Sequence, residues 1–460
     1  MSANAHLSGP AFAHIPPWVL PKLRPTAIEK IQAVFDWVEN ECIPREHVME
    51  AQLEGNKWAR PPVMLELRAK AKEKGLFNLF LPNHFKESPG LTHLEYACCA
   101  EILGRCYWAS ETVNSHAPES GNIELLAKFC NEKQKEKWLK PLMEGTASSA
   151  YSMTEPDVAA SDATNVGIRI TKDGDEYVIN GRKIYGNCMW NKGLAFYIMM
   201  GCSDPENPNP WERHSTVIVP ADTPGFTQIR NLNVLGYSWA PEGHGEYTLE
   251  NVRIPAENVI LGPGKGFAIA QGRLGPGRIH HCLRLLGQCE RAIELAIMRC
   301  NDARFKPRGK LIGEFDSNIE RVAQMRLELD AMRQITYNAT ETLDFYAHEP
   351  KMLKSAGKKS IAQAKILVPA TVEKIINECM QMWGGQGVTN EHSPMPKLWA
   401  YARFVRLADG PDAAHRHQVG RDEMKKAAEI TERHKKYNAL AASFAEQYGE
   451  KIITMPEDSL

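Results

Sequence analysis

The spacing of apolar residues changes twice along this chain, and that double change limits the possible folds more than any single motif does. In the first stretch the spacing is helical: Ile28, Ile31, Phe35 and Val38 share one face, and residues 65–81, 92–103 and 123–143 predict further helices punctuated by Pro61, Pro62 and Pro82. The period then shortens. Tyr177, Val178 and Ile179, the pair Asn180-Gly181, and then Arg182, Lys183, Ile184 and Tyr185 predict a β-hairpin turning on Asn-Gly. Short runs at 195–200, 215–219, 226–229 and 245–249 extend this β insert to about residue 255, with 205–210 as an exposed loop. Helical spacing returns with Cys289, Ala292, Ile293, Ala296 and Ile297 on one face and Val322, Met325, Leu329 and Met332 on another. A third helix, over 358–383, contains Pro369, which should kink it. The chain is therefore mainly α with a β insert. It divides into an arm at 1–24, a helical domain at 25–148, a middle β domain at 149–260, a helical bundle at 261–430, and a C-terminal helix and tail at 431–460.

Composition removes several function classes. Lys plus Arg number 55 against 56 Asp plus Glu, a formal charge of −1, so no global field draws the chain to nucleic acid or an acidic membrane. The 11 cysteines show no repeated Cys-x-x-Cys spacing, which points to buried thiols in a reducing compartment. No run approaches the ~18 apolar residues of a membrane span. Residues 1–20 lack the arginines of a transit peptide and the apolar core of a signal peptide, so they read as a loose arm. The final Asp458, Ser459 and Leu460 lack the basic middle residue of a peroxisomal tail. These signs favour an intracellular, cytoplasmic protein, with mitochondrial and peroxisomal placement left open. Walker A, HExxH and GxSxG signatures are absent, and His415 with His417 has no neighbouring ligand set, so no metal is expected.

Three segments carry chemistry, each with two readings. Tyr151 to Asp157, with Ser161 and Asp162, is either a turn cluster with helix caps or the polar edge of a planar-ligand site at the junction of the helical and β zones. Gln381, Met382, Trp383, Gly384, Gly385, Gln386 and Gly387 end a long helix; one Gly is a cap, whereas three within four residues bare enough backbone for a phosphate or nucleotide. Asp409, between Leu407-Ala408 and Gly410-Pro411, is turn chemistry or a general base whose pKa rises when a ligand closes over it. Gly262, Gly264 and Gly266 join a β zone to a bundle, so they read as a linker and not as a dinucleotide loop.

In this order and at these separations, residues 151–162, 180–187, 264–278, 381–387 and Asp409-Gly410 resemble the acyl-CoA dehydrogenase family over about residues 25–430. The similarity is greatest to the branch whose base segment reads Ala-Asp-Gly-Pro-Asp and whose bundle begins Gln271-Gly-Arg-Leu-Gly-Pro-Gly-Arg-Ile-His-His281. The resemblance implies an N-terminal helical domain, a middle β-barrel or sandwich and a C-terminal four-helix bundle, with FAD between the last two, in a homodimer or homotetramer. It sets Thr154 and the backbone around Met153 at the flavin's pyrimidine side, Tyr151 among the cofactor-binding residues, and Ser161 near cofactor and thioester. Tyr185, Gly186 and Asn187 match the family's aromatic-x-hydroxyl strand near flavin N5, where the Asn187 amide replaces the hydroxyl as donor. Gln381, Gly384 and Gly385 would reach the adenosine diphosphate of FAD in the neighbouring subunit. Arg278 and Gly410 belong to the substrate side, and Pro411 lies at the cofactor.

Two departures stand out. The family's Arg-x-x-Phe-Gly segment is Arg304-Phe-Lys-Pro-Arg-Gly309 here, and the usual Glu-Gly-Thr base segment is Asp409-Gly410-Pro411, with a base one methylene shorter and no Thr contact to FAD. The activity implied is oxidation of an acyl-CoA thioester to the trans-2-enoyl-CoA, Asp409 taking the α-proton and hydride passing to flavin N5, with a flavoprotein as electron acceptor. Two alternatives share the scaffold: a flavin oxidase on acyl-CoA or a nitroalkane-like acid with O₂ as acceptor, and a non-catalytic flavin-binding protein.

Overall fold

The computed structural model describes residues 7–449, in two units that divide between Pro411 and Asp412. The expectations for residues 1–6 and for the terminal Asp458, Ser459 and Leu460 lie outside the described residues.

Helices α1 (Pro25–Trp37), α2 (Glu46–Gly55), α3 (Pro62–Glu73), α4 (His93–Gly104) and α5 (Glu119–Phe129) open the first unit. α1 and α3 begin with proline, whose missing N–H is no loss at a helix start. α4 opens on a capping box: the Thr92 hydroxyl accepts the Glu95 N–H at 3.2 Å and the Glu95 carboxylate accepts the Thr92 N–H at 3.0 Å. The single helix expected over 123–143 is interrupted. α5 stops at Phe129, and a second capping box starts at Asn131, whose side chain accepts the Gln134 N–H at 2.9 Å.

The loose arm is a correction. Leu7, Ala11, Phe12, Ile15, Val19 and Leu23 are buried, Trp18 Nε1 donates to Gln334 at 2.7 Å, and Arg24 pairs with Glu95. An apolar residue every three or four positions straps the segment onto the helices instead of leaving it in water.

The middle region is one seven-stranded sheet: β1 (Ser148–Ser152), β2 (Arg169–Asp173), β3 (Glu176–Asn187), β4 (Leu194–Cys202), β5 (His214–Pro220), β6 (Phe226–Asn231) and β7 (His244–Pro255), in the order β1-β4-β2-β3-β7-β6 with β5 on β4. It curls: β1 and β7 are not neighbours in that order, yet Ser152 Oγ hydrogen-bonds the Tyr247 hydroxyl. Ile170, Ile179, Tyr197, Met199, Val217, Tyr247 and Val252 fill the inside.

The Asn180-Gly181 hairpin is also corrected. β3 runs straight through that pair, and the two-residue turn is Gly174-Asp175, between the paired Asp173 and Glu176. Asn180-Gly181 serves as a bulge: the register against β7 shifts there, Asn180 Oδ1 accepts the Asn251 N–H at 2.8 Å, and a Cβ on Gly181 would strike Ile168.

The bundle consists of α6 (Gly266–Cys300), α7 (Asp316–Phe345), α8 (Lys358–Trp383) and α9 (Met395–Val405). Cys289, Ala292, Ile293 and Ala296 of α6 are fully buried, but Ile297 is 41% exposed. α8 continues as helix through Pro369. α6 crosses α4 at backbone contact: a Cβ on Gly287 would lie 1.9 Å from Glu101 O, and one on Gly104 would lie 2.1 Å from Arg284 O. That crossing fixes the helix that bears most of the site. All 11 cysteines are buried and unbridged. No helix among the described residues is long and apolar enough to cross a membrane.

In the second unit, α10 (Asp412–Met424) precedes α11 (Ala427–Tyr448), which exposes Tyr437, Leu440, Phe444 and Tyr448.

Candidate active site

α6 presents Arg273, Arg278 and His281 to the turn that follows α9. The Arg278 Nε donates to the backbone oxygen of Asp409 at 2.7 Å, and His281 Nε2 stands 3.5 Å from Asp409 Oδ2. The turn is tight: Leu407 N and Ala408 N both donate to Phe404 O, at 2.8 and 3.0 Å, and Asp409 and Gly410 follow with φ of 57° and 103°. From α8 the buried Lys365 ammonium donates to Val405 O and, at 3.4 Å, to Gly410 O. Asp409 is thus both a turn residue and an acid clasped from two helices.

Burial alone would raise the Asp409 carboxyl, but His281, Arg273, Arg278 and Lys365 together bring it below the ordinary carboxylate range. Burial and the Arg284 charge push His281 down to about 3, so the imidazole is neutral. The Arg273 guanidinium lies 3.9 Å from the Tyr151 ring centre, and its Nε donates to Asn122 Oδ1 at 3.1 Å. The Tyr151 hydroxyl is buried with no hydrogen-bond partner among the described residues, and burial raises its pKa to about 12.

The β side of the site is built around a buried ion pair. Lys183 Nζ donates to Glu155 at 2.8 Å and to Met153 O at 2.6 Å, while the Glu155 carboxylate accepts the Gly167 and Ile168 N–H groups at 2.8 and 3.1 Å. The Ile184 N–H donates to Thr154 O at 3.0 Å. The 153–155 loop and the end of β3 are therefore tied together, which brings Met153 and Thr154 beside Tyr185, Gly186 and Asn187. Tyr185 has a φ of 58° and is 52% exposed; the Asn187 carbonyl accepts the Cys188 N–H at 2.9 Å, leaving the amide NH₂ to donate elsewhere. Ser161 is exposed at the start of a turn capped by Asp162, which accepts the Thr164 N–H at 3.0 Å. The capping reading holds for Asp162.

A second cluster forms where α8 ends. Gly384 has a φ of 67°, and a Cβ on Gly384 or Gly385 would meet nothing within 4 Å. Gln381 is exposed and Trp383 Nε1 donates to Leu295 O at 3.0 Å. Arg299 bonds Gln386 at 2.8 Å and lies over the Phe305 ring, 3.1 Å from its centre, whereas the exposed Arg304 folds back onto Asp302 at 2.6 Å.

Several residues here are absent from the sequence-level site. Arg273, His281, Lys365, Tyr401, Asn122 and Arg299 reach it by packing between segments distant in the chain. The repeated His280-His281 beside Arg278 was the one local signal. A buried polar cluster beyond Asn122 joins Glu111, His116, Glu119 and Glu242, and Arg60 bonds Glu111 at 2.9 Å within it. The Arg60 guanidinium already places a positive charge against Glu111 there.

The family model for the acyl-CoA dehydrogenase N-terminal domain matches residues 27–146, that for the middle domain 150–252, and that for the C-terminal domain 264–424. The chain belongs to the acyl-CoA dehydrogenase family. "Probable acyl-CoA dehydrogenase FadE2" of Mycobacterium tuberculosis is 39% identical over 82% of this chain and 92% of its own length. Acyl-CoA dehydrogenase family member 10 of Mus musculus is 37% identical over 89% of this chain but only 38% of its own length, so this chain corresponds to less than half of that relative. A solved structure from Mycobacterium abscessus, named as a candidate acyl-CoA dehydrogenase, superposes with a TM-score of 0.82 at 40% identity, covering 88% of this chain and 99% of that one. The order of domains expected of an acyl-CoA dehydrogenase is the order found, with the β domain a single curled sheet.

Proposed function

We propose that the chain is an FAD-dependent dehydrogenase that converts an acyl-CoA thioester to the trans-2-enoyl-CoA, with Asp409 as the base. The observation that carries this is the clasped position of Asp409, an ionised acid on a left-handed turn with Arg278 on its backbone and His281 against its side chain.

The residues present fit FAD on three counts. Tyr151 offers a buried hydroxyl without a protein partner, Tyr185 turns an aromatic ring outward beside the Asn187 amide, and Gly384 and Gly385 bare their backbone to open space. Tyr151, Met153, Thr154, Ser161, Tyr185, Gly186, Asn187 and Pro411 serve the cofactor. Gln381, Gly384, Gly385 and Arg304 serve it from a neighbouring subunit of a homodimer or homotetramer. When bound, FAD supplies the acceptor for the β-hydrogen as hydride.

The chain's own residues handle the proton. Asp409, kept ionised by Arg273, Arg278 and Lys365, takes it from the α-carbon, and displacement of water by the acyl thioester strengthens it as a base. No described hydrogen bond uses the Asp409 N–H, which is left to donate to the thioester oxygen as charge develops there. Arg278, Ser161 and Gly410 line the substrate side, and a flavoprotein takes the electrons away.

The test is a visible spectrum of the purified protein followed by anaerobic titration with a panel of acyl-CoAs. Wild type should show a flavin spectrum that bleaches, and Asp409→Asn should keep the spectrum without bleaching. Normal bleaching by that variant removes the base assignment, and a colourless protein that takes up no FAD removes the whole proposal. Rapid peroxide release without an added acceptor would make the protein an oxidase instead.

A further inference from the structure

His281 is buried on the same face of α6 as Arg278, and the proton transfer above gives it no task beyond its place against the Asp409 side chain. Its Nδ1 has two neighbours, the Tyr401 hydroxyl at 2.8 Å and the Arg284 guanidinium at 3.2 Å. A guanidinium only donates, so Nδ1 must be the bare nitrogen and the single ring proton must sit on Nε2. That proton is carried by the nitrogen 3.5 Å from Asp409 Oδ2. The distance is long for a hydrogen bond, as catalytic contacts are before a ligand closes on them. A doubly protonated ring would put a buried cation against Arg284. Donation thus runs from Arg284 and Tyr401 into Nδ1, which leaves the Nε2–H unspent on the side of the carboxylate.

We propose that His281 is a positioning residue for the base: its neutral Nε2–H holds Asp409 Oδ2, which leaves Oδ1 to receive the substrate's α-proton. This rests on Asp409 being the base. In the step, the α C–H bond breaks, its electron pair stays with the thioester as the enolate, and the proton forms the Oδ1–H bond. His281 gains and loses nothing. A terminal carboxyl torsion is broad, so pinning one oxygen is what gives the shorter acid a defined reacting atom.

Other groups face the carboxylate as well: Arg273 and Arg278 from α6, Lys365 from α8 and Tyr151 from β1, with Tyr401 of α9 and Arg284 of α6 behind the imidazole. They remain when His281 is changed, so its removal displaces the titration of Asp409 without abolishing it.

The experiment uses the FAD-loaded enzyme and three variants, His281→Phe, His281→Gln and Asp409→Asn. His281→Phe should keep the flavin spectrum, lower kcat roughly 10- to 100-fold with little change in KM, and move the Asp409 carboxyl titration, read by ¹³C NMR without turnover, upward. His281→Gln, which restores an N–H near the Nε2 position, should recover most of both. Wild-type kcat and titration in His281→Phe overturn the proposal, and so does equal loss in Phe and Gln with no titration shift, which would make His281 mere packing. In wild type, ¹⁵N NMR should find the Nε2–H tautomer, and a proton on Nδ1 overturns the proposal even if the Phe variant does not fold. Bleaching by Asp409→Asn sinks the base assignment itself, whereas an inert Asp409→Asn beside an unaffected His281→Phe sinks only this inference.

Discussion

Arg278 and Asp409 are 131 positions apart in the chain, yet the Arg278 Nε donates to the Asp409 backbone oxygen at 2.7 Å. The arginine assigned to the substrate side therefore also holds the main chain of the proposed base. A charge-assisted hydrogen bond of this kind contributes about 1.5–3 kcal/mol. Arg278→Met should keep FAD but slow anaerobic bleaching roughly 10- to 100-fold. Bleaching at the wild-type rate would show that the turn keeps its shape unaided.

The α4–α6 crossing is intolerant of a single methyl group. Gly287→Ala would place its Cβ 1.9 Å from Glu101 O, with no side chain able to yield, so it should lower the thermal midpoint by several degrees. Gly420→Ala on α10 meets nothing within 4 Å and should leave the midpoint unchanged or raise it slightly. Equal midpoints for the two variants would contradict the close crossing.

Glu290 should dominate part of the acid sensitivity. Burial alone would raise its carboxyl, but hydrogen bonds from Arg326, and the charges of His14 and Arg333, hold it at about 2. A depressed carboxyl stabilises the fold fully above its unfolded pKa of ~4.3, and that contribution disappears as pH falls from there towards 2. Thermal midpoints measured between pH 5.5 and 3 should fall more steeply in wild type than in Glu290→Gln. Parallel curves would remove Glu290 from this role.

The Lys183–Glu155 pair should control cofactor retention, because it ties the 153–155 loop to β3. Lys183→Met leaves a buried carboxylate short of its cation, a loss of about 3–5 kcal/mol. The variant should release FAD on gel filtration at low protein concentration, and a wild-type ratio of flavin to protein would show that the loop is held in other ways.

Much of this architecture was legible because the period of burial is a local property. The β runs at 195–200, 215–219 and 245–249 fall inside β4, β5 and β7, and Met325 and Leu329 are buried as their spacing requires. The Asn180-Gly181 pair misled because positive φ suits a bulge as well as a turn, and only the partner strand decides between them. The arm misled because residues 7–23 are buried within the folded helices, and Trp18 bonds Gln334 on α7, 316 positions later. The site behaves likewise. Asp409 and the glycine patch announce themselves by local composition, whereas Arg273, His281, Lys365 and Tyr401 acquire their roles only when helices far apart in sequence converge.

α8 has a mechanical consequence. Lys365 on this helix grips the carbonyls around the acid turn, and nineteen residues on the same rod ends at Gly384, the bare-backbone patch. At 1.5 Å per residue the two lie roughly 28 Å apart along one helix, with Pro369 between them. Under the proposed function, a nucleotide or a second subunit resting at the far end would bear on the same helix that supports the base.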